Sequence, residues 1–92
     1  MIVHVCSAAA CSSARTAGVY RADSLAVEGF IHFSRWEQLA RTVERYYAGV
    51  SDLLVLVVDD SKLDDLRVEP SPSTGESFPH LYGPLPASAV RG

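Results

Sequence analysis

Lysine is nearly absent from this chain: Lys62 is the only one, and the other basic residues are scattered arginines. A formal net charge of −3 with dispersed arginines argues against an extended nucleic-acid interface that works by neutralising phosphates. A single arginine can still hold one phosphate or carboxylate. Long apolar runs are missing as well. The longest, Leu53 to Val58, falls far short of the roughly 20 residues a membrane helix needs, so no membrane span is expected. No basic segment precedes an apolar one at Met1-Ile2-Val3-His4-Val5, so no signal peptide is expected and the protein reads as cytoplasmic. Cysteine is limited to Cys6 and Cys11, with no C-x-x-C motif and no four-ligand zinc spacing. In a reducing cytosol the expectation is two free, largely buried thiols. No G-x-S-x-G, Walker or Rossmann fingerprint is present.

What is there is globular. The chain has 92 residues, of which 48% are apolar and 21% charged, enough for one domain over 1–92 and not for a second core. Ile2 to Val5 is β-branched and reads as a first strand. Ser7 is placed to cap a helix over Ala8 to Ala17, closed by Gly18. Val19 to Val27 reads as a connector, and Phe30 to Phe33 as a second strand. Ser34 and Glu37 fit a capping box, followed by apolar residues at Trp36, Leu39, Ala40, Val43, Tyr46 and Tyr47, the spacing of one buried helix face. Gly49 ends that helix. The continuous apolar run Leu53 to Val58 predicts a central strand covered on both faces. Ser61 to Leu66 reads as a helical turn, Arg67 to Glu69 as a short strand, and Pro70 to Ser77 as a loop able to cover a site. Phe78 to Tyr82 is extended, and Ala87 to Val90 begins a last element. Strands alternating with helices through short links indicate a small α+β domain.

Two strings carry the chemistry: Glu28-Gly29-Phe30-Ile31-His32-Phe33-Ser34 and Phe78-Pro79-His80-Leu81-Tyr82-Gly83-Pro84-Leu85. In a strand, residues i and i+2 share a side. His32 with Ser34, and His80 with Tyr82, therefore each present a polar pair from an otherwise apolar segment, as a ligand-facing surface would. His32 or His80 can serve as general acid or base near neutral pH. Against this stands the ordinary reading of a buried histidine satisfied by a carbonyl. Ser34 is fully explained as a helix cap, although a helix start is also an anion site. Tyr82 is suited to stack on a base or a nicotinamide, or simply to pack in the core with a wet hydroxyl. Glu28, Glu69 and Glu76 are the nearest carboxylates. Glu69, ending a strand before a loop, is placed for a working acid, whereas Glu76 reads as a solvated charge. His4, His32 and His80 show no local metal-ligand spacing, so no metal site is expected.

Gly18-x-Tyr20, Ser24-Leu25, Glu28-Gly29-Phe30-Ile31-His32-x-Ser34, Gln38, Leu63, Glu69 and Phe78-Pro79-His80-x-Tyr82-Gly83-Pro84-Leu85, in this order, resemble the bacterial family called domain of unknown function 952. The resemblance spans almost the whole chain. It implies a fold similar to ADP-ribosyltransferases, a small split mixed sheet with flanking helices that cradles NAD. The run Ile31-His32-Phe33-Ser34 is also similar to the segment of tRNA 2′-phosphotransferases that grips ADP-ribose. By resemblance, His4, His32, Ser34 and Tyr82 would bind the nucleotide, with NAD as the candidate cofactor. His32, His80 and Glu69 would form the catalytic set. The transferase classes carry a late catalytic Glu, and none follows Tyr82 in this chain.

Three functions stay open on this reading. The first is a cleft binding NAD or an ADP-ribose-like nucleotide, with or without transfer chemistry. The second is a small-molecule hydrolase or isomerase using His32 or His80 as general acid/base. The third is a non-catalytic binding module with satisfied histidines and no cleft. An arginine beside His32, either Arg21 or Arg35, favours the first.

Overall fold

A β-branched run followed by a capped alanine-rich segment starts the chain as a strand and a helix. The computed structural model describes residues 1–72 and 74–91. β1 (Ile2–Ser7) leads into α1 (Ala8–Ala17), whose first turn is held by the Ser7 hydroxyl accepting from the Ala10 N–H. Gly18 ends α1 at φ 79°, in the left-handed region that glycine enters without a Cβ penalty. The expected connector instead holds β2 (Val19–Tyr20) and α2 (Asp23–Glu28). β3 (Ile31–His32), α3 (Trp36–Tyr46) and β4 (Leu53–Val58) follow. After a 3₁₀ turn at Asp60–Lys62 come β5 (Leu66–Pro70), β6 (Ser77–Leu81), β7 (Leu85–Pro86) and a last 3₁₀ turn at Ala87–Ala89.

The strands form three antiparallel sheets, β1-β4, β2-β7 and β3-β6-β5. The architecture is α+β and the sheet is split, but among the described residues every named pairing is antiparallel, which corrects the expected mixed sheet. Val3 and Ser34 exchange backbone hydrogen bonds of 2.8 Å each, joining the first sheet to the third. β4 is also corrected. It pairs with β1 alone among the named strands and leaves Leu54 47% exposed, so it is no central strand. Its continuous apolar character is that of an outer strand with only Val58 fully buried. The core gathers Ile2, Tyr20, Ile31, Phe33, Val58, Leu81 and Leu85 from all three sheets.

The start of α3 also differs from expectation. Both backbone groups of Ser34 are taken by Val3, so strand geometry runs one residue further. Arg35 becomes the N-cap, and the Gln38 side chain, not Glu37, reaches back to accept the Arg35 N–H at 2.9 Å. Gln38 is 1% exposed and donates its Nε2 to the Ser77 carbonyl at 2.8 Å, tying α3 to β6. Cys6 and Cys11 are not free thiols: they form a disulfide. The tight turn at Ser7 brings the end of β1 beside the first turn of α1, which is why two cysteines so close in sequence meet. Among the described residues, no helix is long and apolar enough to cross a membrane.

The Pro70 to Ser77 segment is a hairpin turn, with Pro70 opposite Ser77 in the β5-β6 ladder. Ser71 N–H donates to the Glu76 carbonyl and Gly75 N–H to the Ser71 carbonyl, both at 2.8 Å. Arg41 on α3 pairs with Glu76 at 3.1 Å. Ser73 lies outside the described residues.

Candidate functional site

Strand parity builds the site. In the third sheet His32 stands opposite His80, Arg67 opposite His80 on the other side, and Glu69 opposite Phe78. Side chains two apart share a face, so Phe30 and His32, then Phe78, His80 and Tyr82, then Arg67 and Glu69 line one side of the sheet. Ile31, Leu81 and Leu66 turn to the other side and join or pack on the core.

On that polar face the rings are in contact. His32 and His80 lie with centroids 5.2 Å apart, edge to face. Phe30 stacks on His80 at 4.1 Å and 17°, and meets His32 edge-on at 4.9 Å. Diagonal cross-strand reach brings Glu69 Oε1 to His80 Nδ1 at 2.9 Å. The Tyr82 hydroxyl donates to the same oxygen at 2.5 Å, and the Arg67 guanidinium covers the Tyr82 ring at 4.2 Å. These two donors, Tyr82 first, hold the Glu69 carboxyl below its ordinary value of 4.5. The same hydrogen bond pushes the Tyr82 hydroxyl up. A carboxylate can only accept, so His80 Nδ1–H donates to Glu69 and Nε2 is the ring nitrogen turned away from it. Nε2 has no hydrogen-bond partner among the described residues.

His32 is arranged the other way round. Its Nε2 meets Glu28 Oε2 at 2.6 Å, and both side chains are about half exposed, 52% and 48%. Nδ1 of His32 has no partner among the described residues. His4 is buried, and both its nitrogens are engaged. A carbonyl accepts, so His4 Nδ1–H donates to the His32 carbonyl at 2.6 Å, and Nε2 accepts from the Tyr20 hydroxyl at 2.8 Å. Burial holds His4 below its ordinary 6.5, keeping the ring neutral, and burial pushes Tyr20 up to about 12.

A cavity of about 860 Å³ joins the two histidine strings. His32, Ser34 and His80 line it, as do Phe30, Phe78, Tyr46 and Tyr47, with Arg21, Asp23 and Glu28 among its charged lining. Ser71 and Pro72 of the hairpin turn add to its wall. Glu69 and Tyr82 are not among the lining residues; they stand behind His80 and fix it. Ser34 contributes its hydroxyl to Thr42 at 3.1 Å, not to a helix cap. Arg35 is engaged by Glu37 at 2.8 Å and by the Ser77 carbonyl at 3.2 Å, whereas Arg21 is exposed and forms no ion pair among the described residues. The expected anion site at the start of α3 is weakened, because the Arg35 and Gln38 N–H groups already have acceptors. Among the described residues no three metal-ligating side chains converge.

Sequence reasoning missed Tyr20, read as part of a connector, and Thr42, which it did not single out. Tyr20 was detectable from the Val19-Tyr20 pair directly after a helix-ending glycine, a short strand signal. Phe30 was inside the first string, two residues before His32, and strand parity alone puts it beside that ring.

Such a fold and face define a small α+β protein whose polar sheet face carries two carboxylate-paired histidines around one cavity. The family described as "Protein of unknown function (DUF952)" matches residues 5–92, and the chain belongs to that family. The crystal structure of protein CC0527 from Caulobacter crescentus is similar at 34% identity and a TM-score of 0.90, covering 99% of this chain and 81% of that chain. A crystal structure of a double mutant of CC0527 is similar at 33% identity and a TM-score of 0.89, with 99% and 81% covered. The solution NMR structure of CC0527 gives 34% identity and a TM-score of 0.85, with 99% and 79% covered. No curated protein matches the chain.

Proposed function

We propose that the chain binds a nucleotide-class small molecule, of NAD or ADP-ribose type, in the cavity between His32 and His80, on a fold of ADP-ribosyltransferase type. The observation that carries this reading is the composition of that one cavity: aromatic rings, His4, His32, His80 and Arg21, which has no ion pair among the described residues, line the same ≈ 860 Å³ space. That volume lies within the ~300–1,000 Å³ typical of small-molecule sites. Phe30, Phe78 and Tyr46 offer flat apolar surface to a base. Arg21 offers a forked donor to a diphosphate. His32 Nδ1 and His80 Nε2, without partners among the described residues, would meet ribose hydroxyls. Tyr82 has no stacking role in this reading, since its ring is covered by Arg67. Glu28 is the carboxylate at hand, because Glu69 is committed to His80 and Tyr82.

A second reading is favoured by one specific observation. Glu69 fixes His80 in the tautomer whose Nε2 is a base, as a carboxylate does for a general-base histidine. A hydrolase or isomerase acting on a small molecule would use His80 as base and His32, with Glu28, as the proton donor.

Calorimetric titration separates the two. Wild-type protein is expected to bind NAD saturably, with His32→Ala losing binding while its circular dichroism spectrum stays folded. Arg21→Ala is expected to weaken NAD by about tenfold or more, the worth of one charge-assisted contact, and to leave nicotinamide riboside unchanged. No saturable heat at millimolar NAD and ADP-ribose would sink the nucleotide reading and leave the acid/base one.

A further inference from the structure

We propose that Cys6 and Cys11 form a thiol–disulfide exchange site that takes a small-molecule thiol entering through the cavity. This inference does not depend on what the histidines do.

The two sulfurs occupy the positions just before the α1 cap and at the end of its first turn, on either side of Ser7. In ordinary helices an apolar pair at these positions packs together and fixes the entry of the chain. Two reduced thiols are small and apolar enough to do the same. One backbone arrangement therefore serves both redox states. The bond is also poorly placed as a staple. It closes a loop of sequence separation five, and short loops constrain the unfolded chain least. The Ser7 hydroxyl already holds the start of α1.

Access is one-sided. Cys6 and Cys11 are only 5% and 8% exposed, so neither meets a large partner at the surface. Cys6, with Ser7 and Ala10, lines the cavity, and Cys11 does not. Cys6 is therefore the cysteine on the cavity side, and its near-complete burial favours a small thiol as the partner.

The exchange balances as follows. A thiolate RS⁻ attacks Cys6 Sγ, and the Cys6–Cys11 bond breaks with its electron pair leaving on Cys11 Sγ. The positive end of the ten-residue α1 favours that thiolate. A second RS⁻ attacks the RS sulfur of the mixed disulfide and releases RSSR and the Cys6 thiolate. Both cysteine thiolates take up the protons released by the two thiols. Overall, two RSH become RSSR and the disulfide becomes two thiols.

The test uses free cysteine and cystine as probes. Protein is oxidised with cystine, dialysed and read by intact mass after denaturing alkylation. The expected result is no alkylation before cysteine is added, then reduction of the folded protein at a rate linear in cysteine concentration. Cys11→Ser is expected to form a mixed disulfide with cystine about tenfold faster than Cys6→Ser, because only Cys6 faces the cavity. If a variant fails the circular dichroism check, the wild-type concentration dependence decides alone. Thiols that stay alkylatable after cystine, reduction that proceeds only at the unfolding rate, or equal reaction of two folded variants each overturn the proposal.

Discussion

His4 shows how a single side chain sets the position of another. Its Nδ1–H holds the His32 carbonyl, and its Nε2 holds the Tyr20 hydroxyl, so one neutral ring ties β1 to β2 and β3. Burial lowers its pKa below 6.5 in the fold, while the unfolded chain keeps the ordinary value. The unfolded state then takes up more protons on acidification, so this contribution to stability is complete above pH 6.5 and is lost as pH falls toward the folded pKa. Thermal unfolding between pH 7 and 5 is expected to show that loss in wild type and much less of it in His4→Phe. The variant is expected to be about 1–3 kcal/mol less stable at pH 7, since Tyr20 and the His32 carbonyl lose a partner. Equal pH slopes in the two proteins would remove His4 as the source. The shared face of His80 and Tyr82 was legible in their string, because alternation alone sets which side chains of a strand point to one side. The order in which strands pair was not, because two short strands far apart in sequence carry no mark of their partner.

At the level of elements, α1 was legible to the residue, because Ser7 and Gly18 are cap signals that act locally. The start of α3 was not, because the local signal at Ser34 lost to a strand contact with Val3, which only the assembled sheet supplies. β4 was misread for a related reason: a continuous apolar run describes composition, and its neighbours are set by the fold. Val19 to Val27 was misjudged as a connector because α2 has only six residues and no side-chain cap. The disulfide was missed because C-x₄-C has no established signature, and its geometry depends on the Ser7 turn. Gln38 gives the element-scale prediction. Its buried amide accepts the Arg35 N–H and donates to the Ser77 carbonyl, fastening helix to strand. Gln38→Leu keeps the volume and removes both bonds. It is expected to lower stability by about 1–3 kcal/mol, read as a shift in the urea midpoint with the slope unchanged. An unchanged midpoint would show that Arg35 Nη1, which also reaches Ser77, carries that junction by itself.

For the molecule as a whole, three small sheets share one core through few backbone links. The Val3 and Ser34 bridge joins the first to the third, and Phe33 N–H extends the β3-β6 ladder to the Pro79 carbonyl at 2.9 Å. Native-state hydrogen exchange is expected to place the Val3 and Ser34 amides among the slowest, opening only with global unfolding. The two-residue β2-β7 ladder is expected to open first and exchange faster, as the shortest pairing. Faster exchange at Val3 than at β2 would mean that the sheets unfold separately. The topology also governs how the chain comes into being. β1 waits for β4, β3 for β6, and β2 for β7, so every early strand finds its partner in the second half. A ribosome delivers residues from the N-terminus at about 5–20 per second. Throughout most of that delivery no sheet can close, and β1 and β3 emerge with unpaired edges. β1 and β4 can pair before β6 and β7 exist, but the core that all three sheets share is complete only when those last two strands have been made.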